Sequence, residues 1–513
     1  MRRAFWIGCL VLAACAPSSP QPLAFPKSFL FGASIAGFQV DMGCPTIPAS
    51  KCDDQGSDWY QWITDPRILA NPQAVNFLGG PPSTGPGFYE LYPQDLARAK
   101  NELHLNAVRL SLEWSRIFPT STVGVTGYDH LRAIASPDGL AFYHAIFAKM
   151  KALGLTPLVT VNHYTLPLWI HDGVDCHFNG LDKCAKKGWV DPATVTEIAK
   201  YAGFVAREFG GEVDLWATEN EPLALPLSGY LEPTATRTNP PGLSFQSAAA
   251  KEVTLNLIEA HAAMYDAIKA NDTVDADGDG VAAKVGLVLS MTDVKSAGQK
   301  PDDDTAQKNI SYLYNQLYLD ATVDGMLDEN LAGPSTEKLH PELAHRMDYV
   351  GINYYTQITV AGLSGSILPD FSSLLTLDPT SPATNLSQYD AKGIYDMAMF
   401  VTNRYHLPII ITENSVQAIP DAPTQSQGLV QYLQWLHKAM DDGADVQGYF
   451  WWTLMDNYEW NHGMAPEDDF GLYKVDPNDP KKTRTIRQVG KDYARIAQGH
   501  AVPVDLLSKY PMQ

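Results

Sequence analysis

Eight short apolar, β-rich runs recur along the chain, at residues 29–36, 106–112, 156–163, 214–218, 284–290, 348–355, 407–412 and 447–454. Amphipathic stretches separate them, and residues 93–103, 140–153, 195–209, 245–270, 306–327 and 428–441 carry helical patterns. Strand alternating with helix eight times predicts an α/β fold of the (β/α)8 TIM-barrel type. In such a barrel the catalytic groups sit where strands end at the carboxyl face, and the polar residues of interest here do end these runs. The segments after the strands are long, notably 40–92 and 361–390, and long structured loops build the walls of binding sites.

Length alone, at 513 residues, would suggest about three domains. A barrel with long loops can itself exceed about 400 residues, and no Pro/Ser-rich or charge-run linker divides the middle of the chain. A single barrel domain over 25–500 is therefore expected, followed by a C-terminal tail, 501–513. The net charge of −21 argues against a nucleic-acid partner, because phosphate binding depends on clustered Lys and Arg. An aromatic content of 10%, with 11 Trp and 24 Tyr, suits a protein that stacks on the apolar faces of sugars.

The chain opens with Met1-Arg2-Arg3 and a short apolar run, 4–14, which reads as a signal peptide rather than a membrane span. Leu12-Ala13-Ala14-Cys15 resembles the bacterial lipobox, so residues 1–14 are expected to be removed and Cys15 lipidated, with 15–24 as tether. The expected location is the bacterial cell envelope, outside the cytoplasm and held to a membrane by lipid alone. Cysteine arithmetic fits: beyond the signal lie Cys15, Cys44, Cys52, Cys176 and Cys184, an odd number that lipidation of Cys15 makes even. The rest form two local pairs in polar loops, read as disulfides Cys44–Cys52 and Cys176–Cys184, against the alternative of free thiols in a cytosolic enzyme. No close C-x-x-C pair suggests zinc.

Two strings end apolar runs in a carboxylate: Trp216-Ala217-Thr218-Glu219-Asn220-Glu221-Pro222 and Ile409-Ile410-Ile411-Thr412-Glu413-Asn414. A retaining glycosidase needs one carboxyl as acid and base and another as nucleophile, about 5 Å apart across the sugar. Either glutamate alone is weak evidence among 58 acidic residues; two at strand ends are strong.

Further strings run in the same order and at matching spacing: Phe29-Leu30-Phe31-Gly32-Ala33-Ser34-Ile35-Ala36-Gly37-Phe38-Gln39, Val108-Arg109-Leu110-Ser111-Leu112-Glu113-Trp114-Ser115-Arg116-Ile117-Phe118-Pro119 and Phe470-Gly471-Leu472-Tyr473-Lys474-Val475-Asp476. On these the chain resembles family 1 glycoside hydrolases over nearly its whole length, and among them the archaeal β-glycosidases. The resemblance implies that Glu221 is the general acid and base and Glu413 the nucleophile. It places Arg109 and Tyr355 beside the nucleophile, and Gln39, His163, Asn220, Trp452, Glu459 and Trp460 around the first sugar ring. It implies no metal and no cofactor.

The roles make physical sense. Anionic Glu413 should raise the pKa of Glu221, keeping the acid protonated until the sugar is attached and the charge lost. Gln, Glu and Asn address hydroxyls in fixed directions, while Trp presents an apolar face to the ring. Trp451 and Trp452 point to opposite faces of a strand, so at most one lines the cavity. Family members acting on 6-phosphorylated sugars replace the carboxylate at Glu459, so a neutral sugar is implied here.

Three positions depart from the family pattern: Tyr164 stands where Trp is usual, Asp41 where Glu is usual and Ser415 where Gly is usual. Glu219 adds a carboxyl near the acid, and strand alternation turns it away from the site. Asp275, Asp277 and Asp279 match the front of an EF-hand loop, but Gly286 stands where its bidentate Glu should come, so an acidic turn is favoured over calcium. The expected function is a retaining exo-acting β-glycosidase of β-glucosidase or β-galactosidase type, acting on a small β-glycoside or oligosaccharide. A transglycosidase using the same intermediate, or a sugar-binding surface lipoprotein of weak turnover, are the alternatives.

Overall fold

Every one of the eight apolar runs forms a strand: β1 (Leu30–Ser34), β2 (Ala107–Ser111), β3 (Thr156–Asn162), β4 (Leu215–Asn220), β5 (Lys284–Ser290), β6 (Tyr349–Asn353), β7 (Ile409–Asn414) and β8 (Val446–Trp452). They close into one parallel barrel in which β8 pairs with β1. The computed structural model describes residues 21–70, 79–232, 237–298, 300–364, 377–378, 381, 386–465 and 468–513. A helix follows each strand: α1 (Phe88–Asn101), α2 (Pro137–Leu153), α3 (Ala193–Phe209), α4 (Ser247–Asn271), α5 (Pro301–Asn315), α6 (Gly393–Tyr405), α7 (Gln425–Asp441) and α8 (Gln488–Gly499).

The barrel interior is packed. Ala107, Leu158, Ala217, Val288, Tyr349, Ile410 and Phe450 form a cluster contributed by seven of the strands. The two large rings fit because glycines face them: a Cβ on Gly32 would lie 2.3 Å from Phe450, and one on Gly286 2.6 Å from Tyr349. This plug blocks the barrel below, so polar groups above it meet only the carboxyl-face mouth. There the strand registers slip, between Ala217 and Asn220 in β4, between Ile352 and Asn353 in β6 and between Ile411 and Asn414 in β7. Such bulges re-aim side chains where a regular pleat would alternate them.

The loop after β1 builds one wall. Phe38, Met42, Trp59, Trp62, Ile63 and Ile68 cluster with Val174 and Tyr458, and Trp460 packs on them, stacked 5.9 Å from Phe38 and tilted against Trp59 at 4.6 Å. Both expected disulfides are present, Cys44–Cys52 in this loop and Cys176–Cys184 in the loop after β3.

Some element boundaries differ from the sequence expectation. Helix α1 starts at Phe88 and carries Pro93 inside it, so the proline does not begin the helix but removes one bond from it. The pattern over 306–327 is two helices, α5 and Leu317–Val323, parted at Gln316. Helices α6 and α8 lie outside the segments whose sequence pattern is helical.

The ends of the chain also differ from the expected boundaries. Leu23–Ala24, placed in the tether, pairs with Ala501–Val502, placed in the tail. A short helix, Val504–Lys509, follows, and the indole of Trp435 donates to the carbonyl of Gln513 at 2.7 Å. Buried Phe25, Val502 and Leu506 explain the docking: these apolar residues cover the foot of the barrel. Cys15 and the expected signal peptide lie outside the described residues. Among the described residues no helix is long and apolar enough to cross a membrane.

Candidate active site

At the mouth, Glu221 and Glu413 line one cavity of about 230 Å³. Asn220 ends β4 and Glu221 directly follows it, and Glu413 lies at the end of β7. A continuous network joins them. Arg109, fully buried on β2, donates from Nη1 to Glu413 Oε1 at 2.5 Å, from Nη2 to Asn220 Oδ1 at 2.7 Å and from Nε to Thr160 Oγ1 at 3.0 Å. Asn353, at the end of β6, donates from Nδ2 to both Asn220 Oδ1 (3.1 Å) and Glu221 Oε1 (3.0 Å). The Tyr355 hydroxyl donates to Glu413 Oε2 at 2.6 Å.

Glu221 is gripped more tightly than its neighbours in sequence suggest. Its Oε2 accepts from the Tyr164 hydroxyl at 2.6 Å and from Arg237 Nη2 at 2.8 Å, and Arg237 also donates to the Tyr164 oxygen at 2.5 Å. Glu221, Tyr164 and Trp460 all have positive φ, 43°, 74° and 47°, although none is glycine. Backbone strain of this kind gathers where the surrounding structure fixes a functional geometry.

The remaining residues expected around a sugar ring line the same cavity. Gln39 donates to Glu459 Oε2 at 3.1 Å and to the Tyr458 carbonyl at 3.2 Å, and its Oε1 has no partner among the described residues. Glu459 also accepts from the indole of Trp452 at 3.0 Å. His163 lies parallel to Trp452 and Trp460 at about 6 Å, and its Nδ1 has no partner among the described residues. Trp451 is on the other face of β8, its indole bonded to the Phe470 carbonyl, so Trp452 is the one that meets the cavity.

The electrostatics reverse one expectation. Burial acts to raise Glu221, but the Arg237 charge and the bonds from Tyr164, Asn353 and Arg237 outweigh it and hold the carboxyl below its ordinary value. Glu413 goes the other way: burial lifts it to about 6, with Arg109 opposing and the Glu221 charge adding. The sequence reading had Glu221 raised by Glu413; it could not see a guanidinium brought in from outside every motif. Burial also lifts Glu459 to about 7 and pushes His163 well below its usual value, which leaves the imidazole neutral.

The departures resolve differently from one another. Tyr164 reaches Glu221 directly. Asp41 faces away, paired with Arg116 at 3.1 Å in a buried cluster. Ser415 is buried, and its hydroxyl has no partner among the described residues. Glu219 is buried outside the cavity wall, neither oxygen has a partner among the described residues, and burial holds its pKa well above normal. Asp275 and Asp277 spend their carboxylates on amides of their own turn, Asp275 on Gly278 and Gly280 and Asp277 on Asp279, while Asp279 pairs with Lys284. Sequence reasoning missed Asn353 as a working residue, although it ends a strand, and missed Arg237, for which no sequence signal existed.

A parallel barrel whose mouth gathers two buried carboxyl groups, a buried arginine and further polar groups has the arrangement of the barrel glycosidases. This chain belongs to glycosyl hydrolase family 1, whose pattern matches residues 21–502. It is 32% identical over 490 residues to the β-galactosidase of Pyrococcus woesei, an alignment covering 88% of this chain and 92% of that one. The β-galactosidase of Saccharolobus solfataricus is likewise 32% identical, over 89% and 91% of the two chains. Among solved structures it resembles the β-glycosidase of Thermosphaera aggregans, with a TM-score of 0.78 at 28% identity, covering 96% of this chain and all of the other.

Proposed function

We propose that the protein is a retaining exo-acting β-glycosidase that releases a terminal neutral sugar, of β-glucosidase or β-galactosidase type, through a covalent glycosyl-enzyme intermediate. The observation that carries this is the convergence of Glu221 and Glu413, from strands β4 and β7, on one cavity.

Glu413 attacks the anomeric carbon while Glu221 gives a proton to the departing oxygen; in the second step Glu221 takes a proton from water, which displaces Glu413. Arg109 and Tyr355 hold the Glu413 oxygens and favour its anion. Arg109 and Asn353 fix the Asn220 carbonyl, which leaves its NH2 for a sugar hydroxyl whose bond strengthens in the transition state. Gln39, Trp452, Glu459 and Trp460, gathered against the wall after β1, suit one terminal ring. A carboxyl at Glu459 in place of a cation favours a neutral sugar over a phosphorylated one.

Glu221→Ala should lose hydrolysis of aryl β-glycosides, and external azide should restore turnover by giving a β-glycosyl azide. An α-azide, or no rescue of a folded variant, refutes the assignment. The proposed site of action is the cell envelope, with the domain held by lipid on Cys15; the lipobox-like string before that cysteine supports it.

A further inference from the structure

We propose that Tyr432, on α7 outside the barrel wall, is a positioning residue for the nucleophile: its hydroxyl holds the backbone that carries Tyr355, and through Tyr355 it holds Glu413. The inference rests on the assignment of Glu413 as nucleophile. Tyr432 is fully buried and does not line the cavity, so it acts only through other residues.

The end of β6 creates the need for such a brace. The strand register slips between Ile352 and Asn353, and the strand stops before Tyr354 and Tyr355. Their carbonyls take side-chain donors in place of strand partners. Asn414 donates from Nδ2 to the Tyr354 carbonyl at 2.5 Å, and the Tyr432 hydroxyl donates to the Tyr355 carbonyl at 3.0 Å. The two bonds belong to one buried network: Asn414 lies against the Tyr432 hydroxyl, and its Oδ1 accepts from the Tyr449 hydroxyl, on β8, at 2.6 Å. Asn414 also directly follows Glu413, whose carbonyl accepts from the Tyr354 amide at 3.1 Å. The nucleophile and the residue that donates to it are therefore fixed to each other from behind.

Consecutive side chains leave this segment in opposite directions. Tyr354 enters the helical layer, fully buried, with its hydroxyl on the Asp390 carbonyl at 2.8 Å. Tyr355 enters the cavity, where its hydroxyl meets Glu413 Oε2 at 2.6 Å. The Tyr355 ring is thus aimed by its backbone, and a swing of about 1 Å at the hydroxyl takes a bond of this length out of range. Arg109, Glu221, Glu459, Tyr164 and Tyr355 face Glu413, and Tyr389, Asp390 and Asn414 face Tyr432. Removing the Tyr432 hydroxyl alters none of these groups except the aim of Tyr355. Because the Tyr355 bond favours the Glu413 anion, loosening it raises the pKa of that carboxyl.

The test is a 13C NMR titration of protein labelled with [δ-13C]glutamate, the Glu413 resonance assigned by its loss in Glu413→Gln. In Tyr432→Phe the Glu413 carboxyl should titrate about half a pH unit higher, part of the change of about one unit expected from losing the Tyr355 bond outright. Turnover of 4-nitrophenyl β-glycosides should show the alkaline limb of kcat/KM moving with it. Misaiming the nucleophile should lower kcat about tenfold and leave KM within about twofold, because Gln39, Trp452 and Glu459 are untouched. In a Tyr355→Phe background, Tyr432→Phe should add no further shift. Tyr389→Phe is the control for a merely structural role: it removes a hydroxyl that donates to Gln431 at 2.8 Å beside the Tyr432 ring, and should lower Tm without moving the Glu413 titration. A Glu413 titration unmoved by Tyr432→Phe, or an equal shift in the Tyr355→Phe background, overturns the inference. A wild-type protein that hydrolyses no aryl β-glycoside, with the Tyr432→Phe shift present, would defeat the glycosidase reading and leave the brace standing.

Discussion

Arg109 reaches both halves of the site with one planar group, which a lysine could not do. Its bond to Glu413 favours the anion, and its bond to Asn220 orients the amide next to Glu221. Burial lifts Glu413 to about 6 while Glu221 is held below its ordinary value, so the form with Glu413 ionised and Glu221 protonated is most populated between the two, and kcat/KM should fall as pH rises above about 6. Arg109→Met removes the opposing charge; the alkaline limb of the profile, set by Glu413, should then move to higher pH. A lost charge-assisted bond of about 3 kcal/mol corresponds to roughly a hundredfold fall in kcat/KM, read from steady-state kinetics. Tyr164→Phe removes a donor that holds Glu221 down, so Glu221 stays protonated to higher pH and the acid limb, which it sets, should move upward. A pH profile of kcat/KM unchanged by Tyr164→Phe would contradict the clamp on the acid. Glu221 and Glu413 were legible in sequence because each closes an apolar run. Arg237 was not, because it belongs to no motif and reaches Glu221 only in three dimensions, and with it went the direction in which Glu221 titrates.

At the scale of elements, all eight strands were readable from apolar runs because a packed barrel interior and a surrounding helical layer bury both faces of each strand. Helix ends were less readable: Pro93 suggested a start that tertiary packing overrode, and α6 and α8 were not picked out from their patterns. The bulges near Asn220, Asn353 and Glu413 have no sequence signature, yet they aim the working side chains. Each disulfide ties residues only 8 apart in a loop at the mouth. Closing so short a loop is worth about 2.5 kcal/mol of unfolded-state entropy. Spread over an unfolding entropy of about 2.1 cal/mol/K per residue, that is a shift of about 2–3 °C. The Cys44→Ser, Cys52→Ser double variant should lower Tm by that amount in a calorimetric scan; a loss several times larger would mean that the disulfide holds the Trp59 and Trp460 wall itself.

For the whole molecule, the docked ends define an orientation. Leu23–Ala24 pairs with Ala501–Val502 just before β1 begins, at the foot of the barrel, whereas the cavity opens at the carboxyl ends of the strands. Seven residues, 16–22, separate Cys15 from that pairing and reach at most about 25 Å when extended. A lipid on Cys15 would thus keep the foot near the bilayer and the mouth turned outward, toward substrate. Cys15→Ser should move the protein from the membrane fraction to the soluble fraction with its glycosidase activity intact; retention on membranes would contradict the proposed anchor.

Trapping the glycosyl-enzyme intermediate tests the two-carboxylate assignment most directly. A 2-deoxy-2-fluoro β-glycoside with an activated leaving group should inactivate the enzyme and add one fluorosugar mass to the peptide containing Glu413, read by mass spectrometry. Attachment to any other residue, or turnover that passes through no adduct and gives an inverted product, would contradict it.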